Sequence, residues 1–513
     1  MELLNYFENF SPRYLWRVSQ SMGLKKTRLV QLVLVNLGGA ILESAGLLML
    51  MPVFQYIEAR GDVASLIDRH FLWHILDAIF SFLNQPINLA TLLLLSFLCI
   101  CGRQLFFYGR AHLLIVNREM MISQMRLLIF TKYLNAQYDQ QEKEPAGVML
   151  NGMTYQLSQA IDGSLTPVTL FNMVIVTMVW LVALIFTTGI YTIMAVAGIA
   201  LAVLIVRRFF RNSLRGGYVL TRAYADLSEF LVERFKSLRL IRLSRLEVAQ
   251  LTQMKELSNK VSNTEISLRL AMARLDALLE PLTLGICFLM LYFGFSYLNI
   301  SFEQVGMFIV VAVIRLLPLS KEIVRSGQAW LGQQGDLSSV LGRVETLKAA
   351  AEQGDKGKIL TSLGEGIVFK NVSFTHSASN RPALKHLNFS VLSNKMTALV
   401  GPSGSGKSTL IDLLPRMRSP QEGKILIAGK ILEDYSLSSL RKAIAYVSQH
   451  PQLFNITIED HIRLGKEDAT TSEIQWAAKL AGVADFVKDL PQGYYLISVI
   501  TLNEKFVKPF IKN

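Results

Sequence analysis

MTALVGPSGSGKSTL, from Met396 to Leu410, decides the fold of the C-terminal part of the chain. Its apolar start, Met396–Val400, predicts a short buried strand, and the apolar residues from Leu410 onward predict a helix. Between them lies the pattern G-x-x-x-x-G-K-[ST], which is typical of a phosphate-binding loop when a strand precedes it and a helix follows it. The sequence therefore predicts an α/β nucleotide-binding domain around this loop.

Each residue type in the loop suits contact with a nucleotide and its Mg²⁺. Glycines let backbone N–H groups curl around phosphates, and the helix N-terminus adds partial positive charge. The ammonium of Lys407 can neutralise β- and γ-phosphate charge, and the hydroxyl of Ser408 can hold Mg²⁺. We therefore expect ATP and Mg²⁺ as ligands, and the expected binding residues are Gly401, Ser403, Gly404, Ser405, Gly406, Lys407, Ser408 and Thr409.

The composition of the whole chain indicates a membrane protein. Of its 513 residues, 51% are hydrophobic and 18% are charged, and the mean hydropathy is +0.36. With 33 Gly, 14 Pro and 3 Cys, disordered, collagen-like and disulfide-rich classes are excluded. A formal charge of +13 suits either a nucleic-acid binder or a membrane protein with basic inner loops.

Six segments are long and apolar enough to cross a bilayer, which takes about 20 residues per helix. We therefore predict a six-helix transmembrane domain in front of the nucleotide-binding domain, and we expect the bilayer rather than nucleic acid as partner of the basic residues. The segments are Leu29–Phe54, Ile87–Phe107, Leu165–Thr188, Ile190–Phe210, Ala277–Leu298 and Val305–Val324.

Basic residues concentrate in two of the loops between these segments. The stretches Arg103–Gly163 and Arg207–Asp276 are rich in Arg and Lys, whereas Glu58–Pro86 holds only two arginines and Asn299–Gln304 has none. By the positive-inside rule, the basic loops and both termini are predicted to be cytoplasmic. Apolar residues at helical spacing in Arg110–Tyr138 and Arg222–Leu257 predict that membrane helices continue into the cytoplasm.

Two ionisable residues fall inside predicted membrane helices, where charge is costly and often functional. Glu43 lies in the first segment and Arg315 in the sixth. Counted along the two helices, their depths differ by roughly 5–10 Å, so Arg315 can reach Glu43 if the helices are neighbours. Two interpretations are open: a polar patch in a translocation cavity, or an ion pair that only fixes helix packing.

These features together resemble ATP-binding-cassette (ABC) transporters, specifically exporter-type half-transporters with membrane and cassette domains on one chain. Ile367–Phe374 and Ala383–Val391 resemble the opening strands of the cassette, and Gly423–Gly429 resembles the hairpin after the loop helix. The run Glu43–Pro52 is similar to lipid-linked oligosaccharide flippases of this family. The resemblance implies ATP-driven export or lipid flipping of an unidentified substrate, by a homodimer or a heterodimer with another half-transporter in a bacterial-type inner membrane.

The resemblance also implies roles for two further residues. Ser436–Val447 resembles the helix and strand that lead to the family's Q-loop, whose glutamine is here Gln449. In the family that side chain contacts Mg²⁺ and the attacking water. An adenine-stacking aromatic residue usually follows the first strand, and the matching residue here is His376. Two interpretations are open: a ring that stacks on adenine with less area, or a plain surface histidine.

The resemblance ends near Gly493. The family's pattern would continue with a signature loop, a Walker B strand with its acidic pair, and a switch histidine, none of which follows in residues 494–513. We expect these domains: 1–325 transmembrane, 326–358 linker, 359–493 partial cassette, and 494–513 a tail outside the family pattern. The alternative is a truncated, ATP-binding membrane subunit that does not hydrolyse ATP, or a pseudogene product, so enzyme activity stays open.

Overall fold

The computed structural model describes residues 19–67, 71–82, 84–188, 216–297, 315–352, 357–376, 381–447 and 453–496. The chain divides into two compact units, Met1–Gln353 and Gly354–Asn513. The first unit is built from helices joined by turns in its described part, and the second combines a β-sheet with short helices.

The first unit is built from long helices joined by short turns and shorter helices. A π-helical turn, Gly152–Gln156, joins α7 to α8. The helices, numbered in chain order, are α1 (Lys26–Leu48), α2 (Leu50–Glu58), α3 (Val63–Ile67), α4 (Phe71–Phe82), α5 (Leu89–Leu134), α6 (Tyr138–Lys143), α7 (Ala146–Asn151), α8 (Leu157–Thr188), α9 (residues 216–236), α10 (Leu238–Leu243), α11 (Glu247–Tyr297), α12 (Leu317–Gly332) and α13 (Gln334–Ala349).

Three helical stretches of the described chain are long and apolar enough to cross a membrane. They are Lys26–Glu58, Leu89–Leu134 and Ala146–Val182, and they contain most of the first three predicted segments. The fifth predicted segment lies almost entirely in α11. The fourth segment, Ile190–Phe210, and the first part of the sixth lie outside the described residues.

The helical extensions beyond the predicted membrane segments differ in continuity. α5 runs without interruption to Leu134, as the spacing in Arg110–Tyr138 predicts. The other predicted extension, Arg222–Leu257, is helical but is interrupted at Ser237 and again at residues 244–246, where Arg245 has a φ of 54°. Serine side chains compete for backbone hydrogen bonds, which favours helix ends at such positions, and apolar spacing alone does not reveal them.

The predicted connection, residues 326–358, is largely helical. α12 and α13 cover it up to Ala349, and the division between the units falls after Gln353. Trp330, Leu337 and Val340 are buried in the first unit. Most of this segment is therefore part of the helical core rather than a linker, because its few apolar residues recur at helical spacing and pack inward.

The end of α13 is anchored to the turn between α5 and α6. The Gln137 amide donates to the Ala350 carbonyl and the Glu352 amide to the Asn135 carbonyl, each at 2.8 Å. Arg343 forms an ion pair with Glu144 at 2.7 Å. These bonds fix the last described residues of the first unit against the helical loop at 135–144.

The second unit contains a four-stranded antiparallel sheet in the order β2-β1-β3-β4. The described strands are β1 (Gly366–Thr375), β2 (Pro382–Leu392), β3 (Glu422–Ile427) and β4 (Lys430–Ile431). The first two match the predicted opening strands, and β3 and β4 form the predicted hairpin. The described helices of the second unit are α14 (Lys407–Leu413), α15 (Leu437–Lys442), α16 (Ile458–Arg463), α17 (Thr471–Leu480) and α18 (Val483–Val487).

Two predicted strands do not form in this sheet. Met396–Val400, expected directly before the loop, is not in a strand, and Met396 and Val400 are more than nine-tenths exposed. Ile444–Val447, expected before Gln449, is likewise outside any strand. A strand needs a neighbour to satisfy its backbone N–H and C=O groups, and no described segment pairs with either run.

The crossing of α9 with the α12–α13 junction depends on glycine. A side chain at Gly217 would collide with the backbone of Gly332. A Cβ atom at Gly335 would lie 2.6 Å from Thr221 Oγ1 and 3.0 Å from Tyr218 Cα. The backbone of α9 therefore packs directly against the backbone of the α12–α13 junction, which small residues at a helix crossing allow.

We predict that Gly217→Ala destabilises the first unit, because the added methyl group has no space. Overpacking of this kind costs about 1–3 kcal/mol. Gly342→Ala on α13 is the matched control, since its Cβ would meet nothing within 4 Å. It should be neutral or stabilising by up to about 1 kcal/mol. Thermal unfolding of the purified protein in detergent measures both, and equal melting temperatures would contradict the tight crossing.

A buried carboxyl group lies at the same crossing. Asp336, in the first turn of α13, is 6% exposed, and its Oδ1 has no hydrogen-bond partner in the described structure. Burial raises the pKa of Asp336 from its ordinary 3.8 to about 7, and a hydrogen bond with Thr221 opposes this shift. The folded protein thus binds a proton here that the unfolded chain releases at lower pH.

We predict that the stability of the protein falls as the pH rises from about 4 to about 7, because folding then requires a proton on Asp336 or a buried charge. Asp336→Asn should remove this part of the pH dependence and raise the melting temperature above pH 7. Glu345→Gln, an exposed change on the same helix, is the control and should do neither. Parallel pH profiles for wild type and Asp336→Asn would refute the assignment.

Candidate functional site

The phosphate-binding loop of the second unit owes its shape to glycine. Gly404 and Gly406 have φ of 80° and 89°, a left-handed conformation that side chains rarely adopt. A Cβ atom at Gly406 would lie 2.6 Å from the Ala383 carbonyl oxygen, so the loop passes directly over β2. Gly406 then caps the N-terminus of α14, which begins at Lys407.

Lys407 is folded back across the loop. Its Nζ donates to the carbonyl oxygens of Gly401 and Pro402, both at 2.8 Å, and approaches Ser405 Oγ at 3.3 Å. Within the described residues no carboxylate pairs with it. The ammonium is therefore held only by neutral oxygen atoms, which a phosphate oxygen can replace at little cost. This arrangement of Lys407 fits the phosphates of a nucleoside triphosphate.

His376 lies beside this loop, directly after β1. Its Nε2 is 3.1 Å from Thr409 Oγ1, and its ring meets Phe374 edge-on with centroids 5.0 Å apart. The structure thus brings His376 together with the helix that follows the phosphate-binding loop. Ser408 is exposed in the first turn of α14. Gln449, the predicted Mg²⁺ and water contact, lies outside the described residues.

A second candidate site lies within the helices of the first unit. A cavity of 620 Å³ is lined by residues of α1, α5, α8 and α12 together with Arg315, which directly precedes α12. The charged residues along it are Glu43, Arg103, Arg110, Arg315 and Glu322.

Glu43 bridges two arginines in this cavity. Its Oε1 lies 2.6 Å from Arg315 Nη1, and its Oε2 lies 3.3 Å from Arg103 Nε. The contact between Glu43 and Arg315 is the one that their depths predict. The Arg315 guanidinium also lies 5.9 Å from the centre of the Trp180 ring, and Trp180 is fully buried. The group thus combines ion pairing with a cation–π contact.

Arg103 is the member of this group that we did not identify as a candidate. We assigned it to a basic cytoplasmic loop, although it also falls inside the predicted segment Ile87–Phe107. Its contact with Glu43 places it at the level of the other two charges. The criterion that selected Glu43 and Arg315, an ionisable residue within an apolar segment, would also have selected Arg103.

Two relatives named as lipid A-core flippases match parts of this chain. The ATP-dependent lipid A-core flippase of Burkholderia orbicola is 27% identical over 396 residues, which cover 75% of this chain and 65% of that protein. The flippase of the same name from Hahella chejuensis is 41% identical over 142 residues, 27% of this chain and 24% of that protein. This chain therefore spans less than two thirds of the length of these relatives.

A solved structure has the same fold. The structure of a bacterial Atm1-family ABC exporter with ATP bound superposes with a TM-score of 0.73 and 19% sequence identity, covering 92% of this chain and 80% of that chain. A helical transmembrane domain followed by a nucleotide-binding domain is thus the fold of this protein.

Two family models match the chain along its length. The ABC transporter transmembrane region matches residues 59–318, more than half of the chain, and includes Arg103 and Arg315. The ABC transporter model matches residues 384–498 and includes the whole phosphate-binding loop. The chain therefore belongs to the ABC transporter family, with the membrane region and the ATP-binding region on one polypeptide.

Proposed function

We propose that this chain is a half-transporter subunit of an ATP-driven exporter or lipid flippase. The observation that carries the proposal is the presence, on one chain, of a phosphate-binding loop with an available lysine and a charged cavity among membrane helices. The relatives named as lipid A-core flippases support a lipidic substrate, although they extend beyond the part that this chain covers.

In this proposal the nucleotide is ATP with Mg²⁺. Bound Mg·ATP supplies the free energy of phosphoryl transfer and of cassette closure. Lys407 neutralises the β- and γ-phosphates, Ser408 and Gln449 hold Mg²⁺, and His376 stacks on the adenine. Glu43 and Arg315 line the path of the substrate. Glycine-rich loops before a helix N-terminus commonly bind phosphates, which supports the roles of Lys407 and Ser408. Ionisable residues inside membrane helices are commonly functional, which supports the roles of Glu43 and Arg315.

The proposed architecture has six membrane helices within 1–325 and the cassette within 359–493. The subunit would work as a dimer, with itself or with another half-transporter, in a bacterial inner membrane with both termini in the cytoplasm. The three apolar helices and the distribution of arginine between loops support this arrangement.

Lys407→Ala tests the nucleotide site. We predict that it abolishes photolabelling by an azido-ATP analogue, because the phosphates lose their nearest cation, and that it abolishes any ATP-dependent movement of a fluorescent phospholipid across proteoliposomes. Lys395→Ala, an exposed lysine on the same approach to the loop, is the control and should change neither. Unchanged photolabelling of Lys407→Ala would refute the site.

Cysteine labelling tests the topology. In a background without Cys99, Cys101 and Cys287, we predict that Ala64→Cys reacts with an impermeant maleimide in intact cells, because the sparsely charged loop faces outward. Ser258→Cys, in the basic loop, should react only after the cells are opened. Both positions are exposed in the structure. The reverse pattern of labelling would overturn the orientation.

A further inference from the structure

The charges that line the membrane cavity do not balance. Three arginines, Arg103, Arg110 and Arg315, face two glutamates, Glu43 and Glu322, among the lining residues that the structure describes. Since an uncompensated charge in this environment is costly, the excess favours an additional anion in the cavity.

The ion pairs of Glu43 leave guanidinium donors unused. Each carboxylate oxygen of Glu43 contacts a different arginine, at 2.6 Å and 3.3 Å. A guanidinium has five N–H donors, and Arg315 Nε is buried with no partner in the described chain. The side chains of Arg103 and Arg315 are 26% and 23% exposed and that of Glu43 is 13% exposed. The two cations are thus more accessible than the anion between them.

The walls around these charges are apolar. Phe106, Phe107, Val176 and Leu319 line the cavity beside the arginines. Arg110 lies seven residues beyond Arg103 on α5, about 10 Å farther along the helix axis. A ligand that carries an oxyanion on an apolar body matches this combination of donors and walls better than a hydrophilic solute does.

We propose that Arg103 and Arg315 form a binding site for an oxyanion, a phosphate or carboxylate group, and that Glu43 is the resident counter-ion with which this ligand competes for the two guanidinium groups. The ligand adds one negative charge to the cavity, which offsets the excess of one positive charge among the described lining residues. Arg110 is the next cation for the same group on the side predicted to face the cytoplasm. Only the claim that the bound anion is transported rests on the proposed function.

Opposite effects of two substitutions distinguish this site from an ion pair that merely packs helices. Glu43→Gln removes the competing anion and should tighten oxyanion binding by roughly tenfold, whereas Arg315→Gln removes a charged donor and should weaken it by roughly tenfold or more. Glu43→Asp keeps the charge but withdraws it by one methylene, so it should tighten binding by a smaller factor. Arg126→Gln, on α5 away from the cavity, is the control and should have no effect.

The measurement uses the full 513-residue chain in lipid nanodiscs without ATP. Trp180, beside Arg315, reports binding through its fluorescence, and a Trp180→Phe variant identifies its share of the signal. In one arm inorganic phosphate is titrated into phosphatidylcholine nanodiscs. In the other, phosphatidic acid replaces an increasing fraction of the phosphatidylcholine. Saturation in the first arm indicates a free anion, and saturation only in the second indicates a lipid headgroup.

A saturable Trp180 signal in either arm, tightened by Glu43→Gln and weakened by Arg315→Gln, supports the proposal. No signal in both arms, or weaker binding in Glu43→Gln and Glu43→Asp when both melt like wild type, overturns it. If Glu43→Gln does not fold, Glu43→Asp alone decides by the same criterion. Oxyanion binding without ATP-dependent transport would contradict the proposed function and leave this site in place.

Discussion

The carboxylate of Glu43, held between Arg103 and Arg315, is the interaction on which the membrane unit depends. Charges inside an apolar bundle must be paired, so these contacts fix α1, α5 and the start of α12 at one level. Polar groups reinforce the same neighbours, since Asn36 donates to the Asn172 carbonyl across α1 and α8. Apolar side chains cannot close tightly around three ionised groups, and the cavity lies where they meet.

The second constraint concerns how the helical unit ends. Two backbone hydrogen bonds and the Arg343–Glu144 ion pair hold the end of α13 against the loop that follows α5. Gly152 leaves room for the Arg343 guanidinium, which a side chain at that position would displace. The last described turn of this unit is therefore part of its core, and the glycine crossing at Gly217 secures the start of the same helix.

Features that follow from a motif, or from the depth of a charge along a membrane helix, were predictable, and features that depend on an unspecified packing partner were not. The turn geometry at Gly404 and Gly406 follows from the motif itself, and counting residues along two helices was enough to pair Glu43 with Arg315. Met396–Val400 has the composition of a strand, yet a strand also needs a neighbour that composition does not specify. The sequence of one helix alone predicts neither the contact of Gly217 with Gly332 nor the burial of Asp336, because both depend on the facing helix. The role of Gln449 stays a prediction.

The excess of arginine over glutamate in the cavity also couples this protein to the membrane potential. An electric field acts on any net charge within the bilayer, with about 2.3 kcal/mol per elementary charge for full crossing at 100 mV. The described lining residues carry one more positive than negative charge, so an inside-negative potential draws this cluster toward the cytoplasm. A singly charged anion at Arg103 and Arg315 cancels that force. The membrane voltage therefore exerts a net force on the described cavity charges when the anion is absent and none when a singly charged anion is bound. This difference does not depend on nucleotide.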